Sequence, residues 1–161
     1  MADTQDLTIL RAQLRDFYDD YTFYLDEGQL ERWPEFFTED CHYRVISQES
    51  YDAGWLVATI YCDGLNMIKD RVTALRETTV YEPRSLRHLV SGLQITGLED
   101  ECIKAQANFA ILESMSDREP VVNMVGRYVD TVTKTQSGFL FKDRTCVYDN
   151  YRIRTSLIIP V

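Results

Sequence analysis

The sequence predicts an α+β protein in which leading helices pack inside a strongly curved antiparallel or mixed sheet, giving a cone. Three observations carry this expectation. Apolar residues step by three and four through the first third of the chain. After Pro83 the apolar period changes to two. The strand signals then follow one another without helices between them, as in a meander and unlike βαβ alternation. At 161 residues, with Gly 7, Pro 4 and no low-complexity stretch, the chain reads as one domain over residues 1–161. A chain of this length buries roughly 70% of its unfolded surface, so its core needs no staples.

The first helix is read from Leu7, Leu10, Leu14, Phe17, Tyr21 and Tyr24, which share one stripe. Asp3 and Thr4 are its candidate caps and Gly28 its stop. A short second helix holds Leu30, Trp33, Phe36 and Phe37, with Pro34 near its first turn. Residues 41–47 read as extended, and the apolar run WLVATIYC (55–62) as a buried strand. Asp63 opens a third helix carrying Leu65, Ile68, Val72 and Leu75. Leu89, Leu93 and Ile95 suggest a strand that ends in a turn at 97–100. In the next strand Ile103, Ala105, Ala107, Phe109 and Ile111 alternate with polar residues, which marks one core face. A Val- and Thr-rich strand covers 121–134, and TQSG (135–138) is a hairpin signal. Phe139, Phe141 and Val147 mark a strand running to Tyr148. A last strand is expected from Tyr151, Ile153, Thr155, Leu157 and Ile159, with Arg152 and Arg154 on its other face.

Charge limits the partners. The net charge of -9, from 17 Lys and Arg against 26 Asp and Glu, disfavours phosphate backbones and anionic membranes. No run reaches the ~18–20 apolar residues of a membrane span, and the opening MADTQDLTIL resembles no signal peptide. Cys41, Cys62, Cys102 and Cys146 form no C-x-x-C pair, so they read as free, mostly buried thiols of a cytoplasmic protein.

The chemistry-bearing residues are few. A Rieske cluster takes two Cys and two His in paired spacings, and this chain has only His42 and His88, far apart. No phosphate loop or nucleophile elbow occurs. The expectation is therefore no catalytic residue, no metal site and no cofactor in this chain. Asp40, His42 and His88 are the acid-base candidates should the chain act alone in a conical pocket. Alternatively, Asp40 ends the short helix and His88 pairs with a carboxylate or carbonyl at a strand edge. Tyr18, Tyr21 and Tyr24 suit an interface, a pocket wall or a core. Arg127, Arg144, Arg152 and Arg154 suit a subunit contact or internal pairing with carboxylates.

One family resemblance ties these features together. DRVTALRE (70–77) supplies Asp70, Arg71, Val72 and Arg76. PRSLRHLVSG (83–92) supplies Pro83, Arg84, Ser85, Arg87, His88, Leu89, Val90 and Ser91. Together they resemble the central signature of the beta subunits of Rieske non-haem iron aromatic-ring-hydroxylating oxygenases. The opening helix, WPEFFTEDCHY (33–43) and YRIRTSLIIP (151–160) fit as well. Trp33, Phe36, Phe37 and Asp40 are shared by many cone-shaped folds.

The resemblance implies a ketosteroid-isomerase-like cone and an architectural role. It implies an alpha (large) subunit as partner, usually three alpha with three beta. That partner would hold the Rieske 2Fe-2S cluster and the mononuclear non-haem Fe(II), with NADH acting through a separate reductase and ferredoxin. Arg84, Arg87, His88, Arg152 and Arg154 are then the expected subunit-interface residues. Within the family the chain is similar to small subunits of the salicylate 5-hydroxylase and anthranilate type. This implies NADH- and O2-dependent conversion of salicylate to gentisate on the large subunit. Two other functions fit the same cone: a lone acid-base isomerase or dehydratase, and a small-molecule binding protein. Both require an open apolar pocket.

Overall fold

The computed structural model describes residues 4–99, 101–153 and 157–161. Its elements follow in chain order. Helix α1 (Thr4–Asp26) leads to a 3-10 helix (Leu30–Phe36), strand β1 (Phe37–Ser47), a short helix α2 (Gln48–Asp52) and strand β2 (Ile60–Asp63). Helix α3 (Leu65–Glu77) precedes the long strands β3 (Ser85–Glu99), β4 (Cys102–Met115), β5 (Arg118–Thr135) and β6 (Gly138–Tyr148). One mixed sheet results, in the order β2-β1-β6-β5-β4-β3. β1 and β6 run parallel, and the other neighbours are antiparallel.

The period-two pattern of β4 is realised as expected: Ile103, Ala105, Ala107, Phe109 and Ile111 are all buried. Through the sheet register this face continues into Met124, Tyr128 and Val132 of β5, then Phe141 and Cys146 of β6 and Tyr43 and Val45 of β1. The α1 stripe lies on this concave face, where Leu14, Tyr18, Tyr21 and Leu25 are buried. Aromatic edges interlock there: the rings of Phe17 and Phe141 lie 4.7 Å apart, and those of Trp33 and Tyr43 lie 5.1 Å apart. Ile68, Val72 and Leu75 of α3 join the same core where α3 packs on β1, β2 and the 3-10 helix.

Six local expectations are corrected. Only Ile60 to Cys62 of the 55–62 run is in a strand, because β2 pairs with β1 only from Ile60 to Asp63; Trp55, Leu56 and Val57 project into solvent. Gly64, with φ 85, caps α3 in place of Asp63. Phe37 opens β1 and does not close the short helix. The turn expected at 97–100 comes later, since Gly97, Leu98 and Glu99 still pair with Lys104, Ile103 and Cys102; earlier in β3 the register shifts between Ser91 and Gln94, which sets Leu89 and Leu93 on opposite faces. Gly92, with φ +64, sits in this irregularity and reverses the alternation, so Leu86 and His88 point inward before it and Leu93 after it. The expected last strand is absent among the described residues: 151–153 bend, and 157–161 run irregularly. Arg71 Nη2 holds that segment by donating to the carbonyls of Leu157 and Ile158, both at 3.2 Å. Arg154 and Thr155 lie outside the described residues.

Candidate functional site

The concave face brings polar groups to the centre of the cone. The β5–β6 register sets Asp130 opposite Arg144, and the parallel β1–β6 register sets Tyr43 opposite Arg144. Both members of the ion pair have side chains 0% exposed, with Arg144 Nη1 3.2 Å from Asp130 Oδ2. The Tyr18 hydroxyl, brought in by α1, donates to the same carboxylate oxygen. The guanidinium carbon lies 3.7 Å from the Tyr128 ring centre and 4.2 Å from those of Tyr21 and Phe141. This cation–π cage replaces lost hydration with ring quadrupoles. Trp33 Nε1 donates to the Tyr21 hydroxyl, which donates to the Val161 oxygen at 2.9 Å.

The electrostatics suit a core more than a reaction centre. Burial pushes the phenols of Tyr18, Tyr43 and Tyr128 well above their ordinary range, so each stays a neutral hydroxyl. Burial likewise lifts the Cys146 thiol to about 12. Asp130 is raised by burial to about 6, against the pull of Arg144 and the Tyr18 hydrogen bond. A groove of about 750 Å³ opens elsewhere, between α1 and the β5–β6 turn, and is lined in part by Asp16, Phe17, Asp20, Tyr24 and Phe139. It does not include Tyr21, Asp130 or Arg144.

The acid-base candidates are not gathered in the cone. Asp40 is on the outside, with its side chain 72% exposed and Lys142 Nζ 3.9 Å away. The neighbouring Thr38 side chain holds its carboxyl below the ordinary range. His42 is half-exposed on the convex face, where Asp63 and Asp143 flank its ring at 3.3 and 3.1 Å. Only His88 points inward; its Nδ1 lies 2.6 Å from Asp26 Oδ1, and its backbone N–H donates to the same carboxylate. This clamp fastens the last turn of α1 to β3. Asp26→Ala strands both donors and should cost about 3 kcal/mol in urea denaturation. Asp26→Asn, which keeps an acceptor, should lose less; equal losses would remove hydrogen bonding as the cause.

The expected interface residues also divide. Arg84 is nearly buried and donates to Glu113 Oε2 at 2.9 Å, an oxygen that also accepts from Asn123 Nδ2. Arg87 is 58% exposed and donates to the Asp26 carbonyl. Arg152 is exposed. Sequence reasoning named Arg144 only as one of four strand arginines and did not select Asp130. The available signal was a charged residue at an inward-facing position on each of two adjacent strands.

Fold and interior together define an α+β cone protein whose centre is occupied by its own caged ion pair. The family model described as "Ring hydroxylating beta subunit" matches residues 22–155. The anthranilate 1,2-dioxygenase small subunit of Burkholderia cepacia is 38% identical over 141 residues, 88% of each chain. A terephthalate 1,2-dioxygenase terminal oxygenase component subunit, beta 2 of Comamonas sp, is 30% identical over 95% of this chain and 99% of its own. Among solved structures, a beta subunit attributed to an aromatic-ring-hydroxylating dioxygenase of Novosphingobium aromaticivorans superposes with TM-score 0.88 at 36% identity, covering 96% and 98% of the two chains. A protein from the same organism attributed to scytalone dehydratase shares the fold alone, with TM-score 0.71 and 18% identity over 95% of each chain. The chain belongs to the ring-hydroxylating beta subunit family. Among the described residues no helix is long and apolar enough to cross a membrane.

Proposed function

We propose that this chain is the architectural small subunit of the terminal oxygenase of an aromatic-acid hydroxylase, with the chemistry carried out on a large alpha subunit. The observation that carries the reading is the caged Arg144–Asp130 pair, buried in the interior of the cone where a lone acid-base enzyme would need an open pocket. The Rieske cluster, the mononuclear iron and the electrons arriving from NADH through ferredoxin and reductase belong to partner chains. The expected assembly is three alpha with three beta, burying about 2,000 Å² or more per obligate contact.

The substrate we propose is an ortho-substituted benzoate, salicylate first, hydroxylated to gentisate. The named relatives are subunits of an anthranilate and a terephthalate dioxygenase, and both of those substrates are aromatic carboxylates. Salicylate differs from anthranilate only in bearing a hydroxyl where the latter bears an amine. The test is co-expression with the large subunit, native mass, and product analysis, with NADH, reductase and ferredoxin supplied, on salicylate, anthranilate, benzoate and terephthalate. Gentisate from salicylate, formed only when both chains are present, is the expected result. Turnover by the lone small chain would sink the architectural reading; turnover of anthranilate but not salicylate would correct the substrate.

A further inference from the structure

We propose that the loop between α2 and β2, led by Trp55, Leu56 and Val57, anchors this chain in an apolar pocket of the large subunit whose rim carries arginine or lysine. The inference rests on the small-subunit reading and deepens it by naming the surface.

Three consecutive large apolar side chains are 56%, 91% and 74% exposed. Single exposed apolar residues are ordinary, whereas a contiguous run led by tryptophan marks an interaction site. The loop is also held at both ends. Gly54, with φ +67, ends the short helix, and the Trp55 N–H donates to the Ser50 carbonyl at 2.9 Å. The Thr59 N–H donates to the Val45 carbonyl at 2.8 Å, and the Thr59 hydroxyl lies 3.0 Å from that of Tyr148. A loop fixed in this way loses little conformational freedom on docking.

Charge selects the occupant. Residues 45–68 contain the carboxylates Glu49, Asp52 and Asp63 and no lysine or arginine. The cations on the sheet beside α2 are Arg127, 5.7 Å from the Tyr51 ring centre, and Arg44 and Lys104, which line one hollow with Tyr51 and Asp143. A second copy meeting this loop face to face would set carboxylates against carboxylates in a chain of net charge -9. A pocket rimmed by cations complements both the apolar tip and its acidic flanks.

The test is co-purification with the large subunit, with native mass and titrated affinity as readouts. The variants are Trp55→Ala/Leu56→Ala, Leu56→Asp and, as a control, Val80→Ala at a 99% exposed site after α3. Both loop variants should keep the wild-type thermal melt and bind about tenfold more weakly or worse; Val80→Ala should assemble normally. Loop variants that assemble like wild type would overturn the anchor while leaving the small-subunit reading intact. Wild-type chain that never joins a large subunit would instead remove that reading. An equal loss in Val80→Ala would overturn the anchor, as would loop variants that lose only self-association of the lone chain.

Discussion

Arg144→Met is expected to destabilise the folded chain by about 3–5 kcal/mol, measured by urea denaturation, because it strands a buried carboxylate. Asp130 and Arg144 are both fully buried, so neither can recover its hydration in place. The Tyr18 hydroxyl still donates to Asp130, but one neutral donor does not replace a cation. The double variant Arg144→Met/Asp130→Leu should recover most of the loss, since an apolar pair removes both charges from the interior. A double variant as unstable as the single one would show that shape, not charge, matters there.

The same variant has a signed pH dependence. Burial has already raised the Asp130 carboxyl to about 6, and losing Arg144 raises it further. A carboxyl whose folded pKa exceeds its unfolded value binds its proton more tightly when folded. Its contribution is therefore complete below the unfolded pKa and is lost as the pH rises through the folded one. Arg144→Met should accordingly be weakest at alkaline pH and regain stability on acidification, a trend absent from the double variant. A flat difference between the two variants across this range would contradict a stranded carboxylate.

Gly126→Ala is the second large effect, expected to cost about 3 kcal/mol or more in the same measurement. A Cβ there would fall 2.0 Å from the Val147 carbonyl oxygen and 2.8 Å from Tyr148 Cα. Both obstacles are β6 backbone, so no side-chain rotation relieves them. The strands forced apart are those that carry Asp130 and Arg144, which couples this substitution to the central pair. Gly97→Ala is the internal control, since its added methyl meets only ordinary contacts with the Lys104 side chain at 3.5 Å. Equal stability of the two variants would refute the close-approach account.

Much of the fold was legible because one-face burial writes a period into the sequence. The helical period of α1, the β4 alternation and the β5–β6 hairpin were legible, since local geometry alone repeats every 3.6 or two residues; in α1 the fully buried line runs through Leu14, Tyr18, Tyr21 and Leu25, so the expected stripe missed Tyr18 and Leu25. The misreadings occurred where pairing partners end or slip. WLVATIYC is as apolar as a buried strand, yet its first half extends past the β1–β2 pairing, and composition carries no information about a neighbour's length. Leu89 fell on the outer face because a bulge after it reverses the alternation. At the candidate site, His88, expected either at an interface or paired with a carboxylate or carbonyl, meets the Asp26 carboxylate, and Arg84, expected at an interface, pairs with Glu113 within this chain.

The amino-acid order alone determined the class, the helices-then-strands layout and the family kinship, because these depend on residues close in sequence or on a contiguous signature. Only the tertiary structure decided that a caged charge pair is buried inside the cone. Asp130 and Arg144 meet across two strands, Tyr18 and Tyr21 arrive from a helix more than a hundred residues earlier, and the partner of a buried charge is set by sheet register. The same reason put Trp55, Leu56 and Val57 into solvent: whether an apolar side chain is covered depends on what the rest of the chain places beside it.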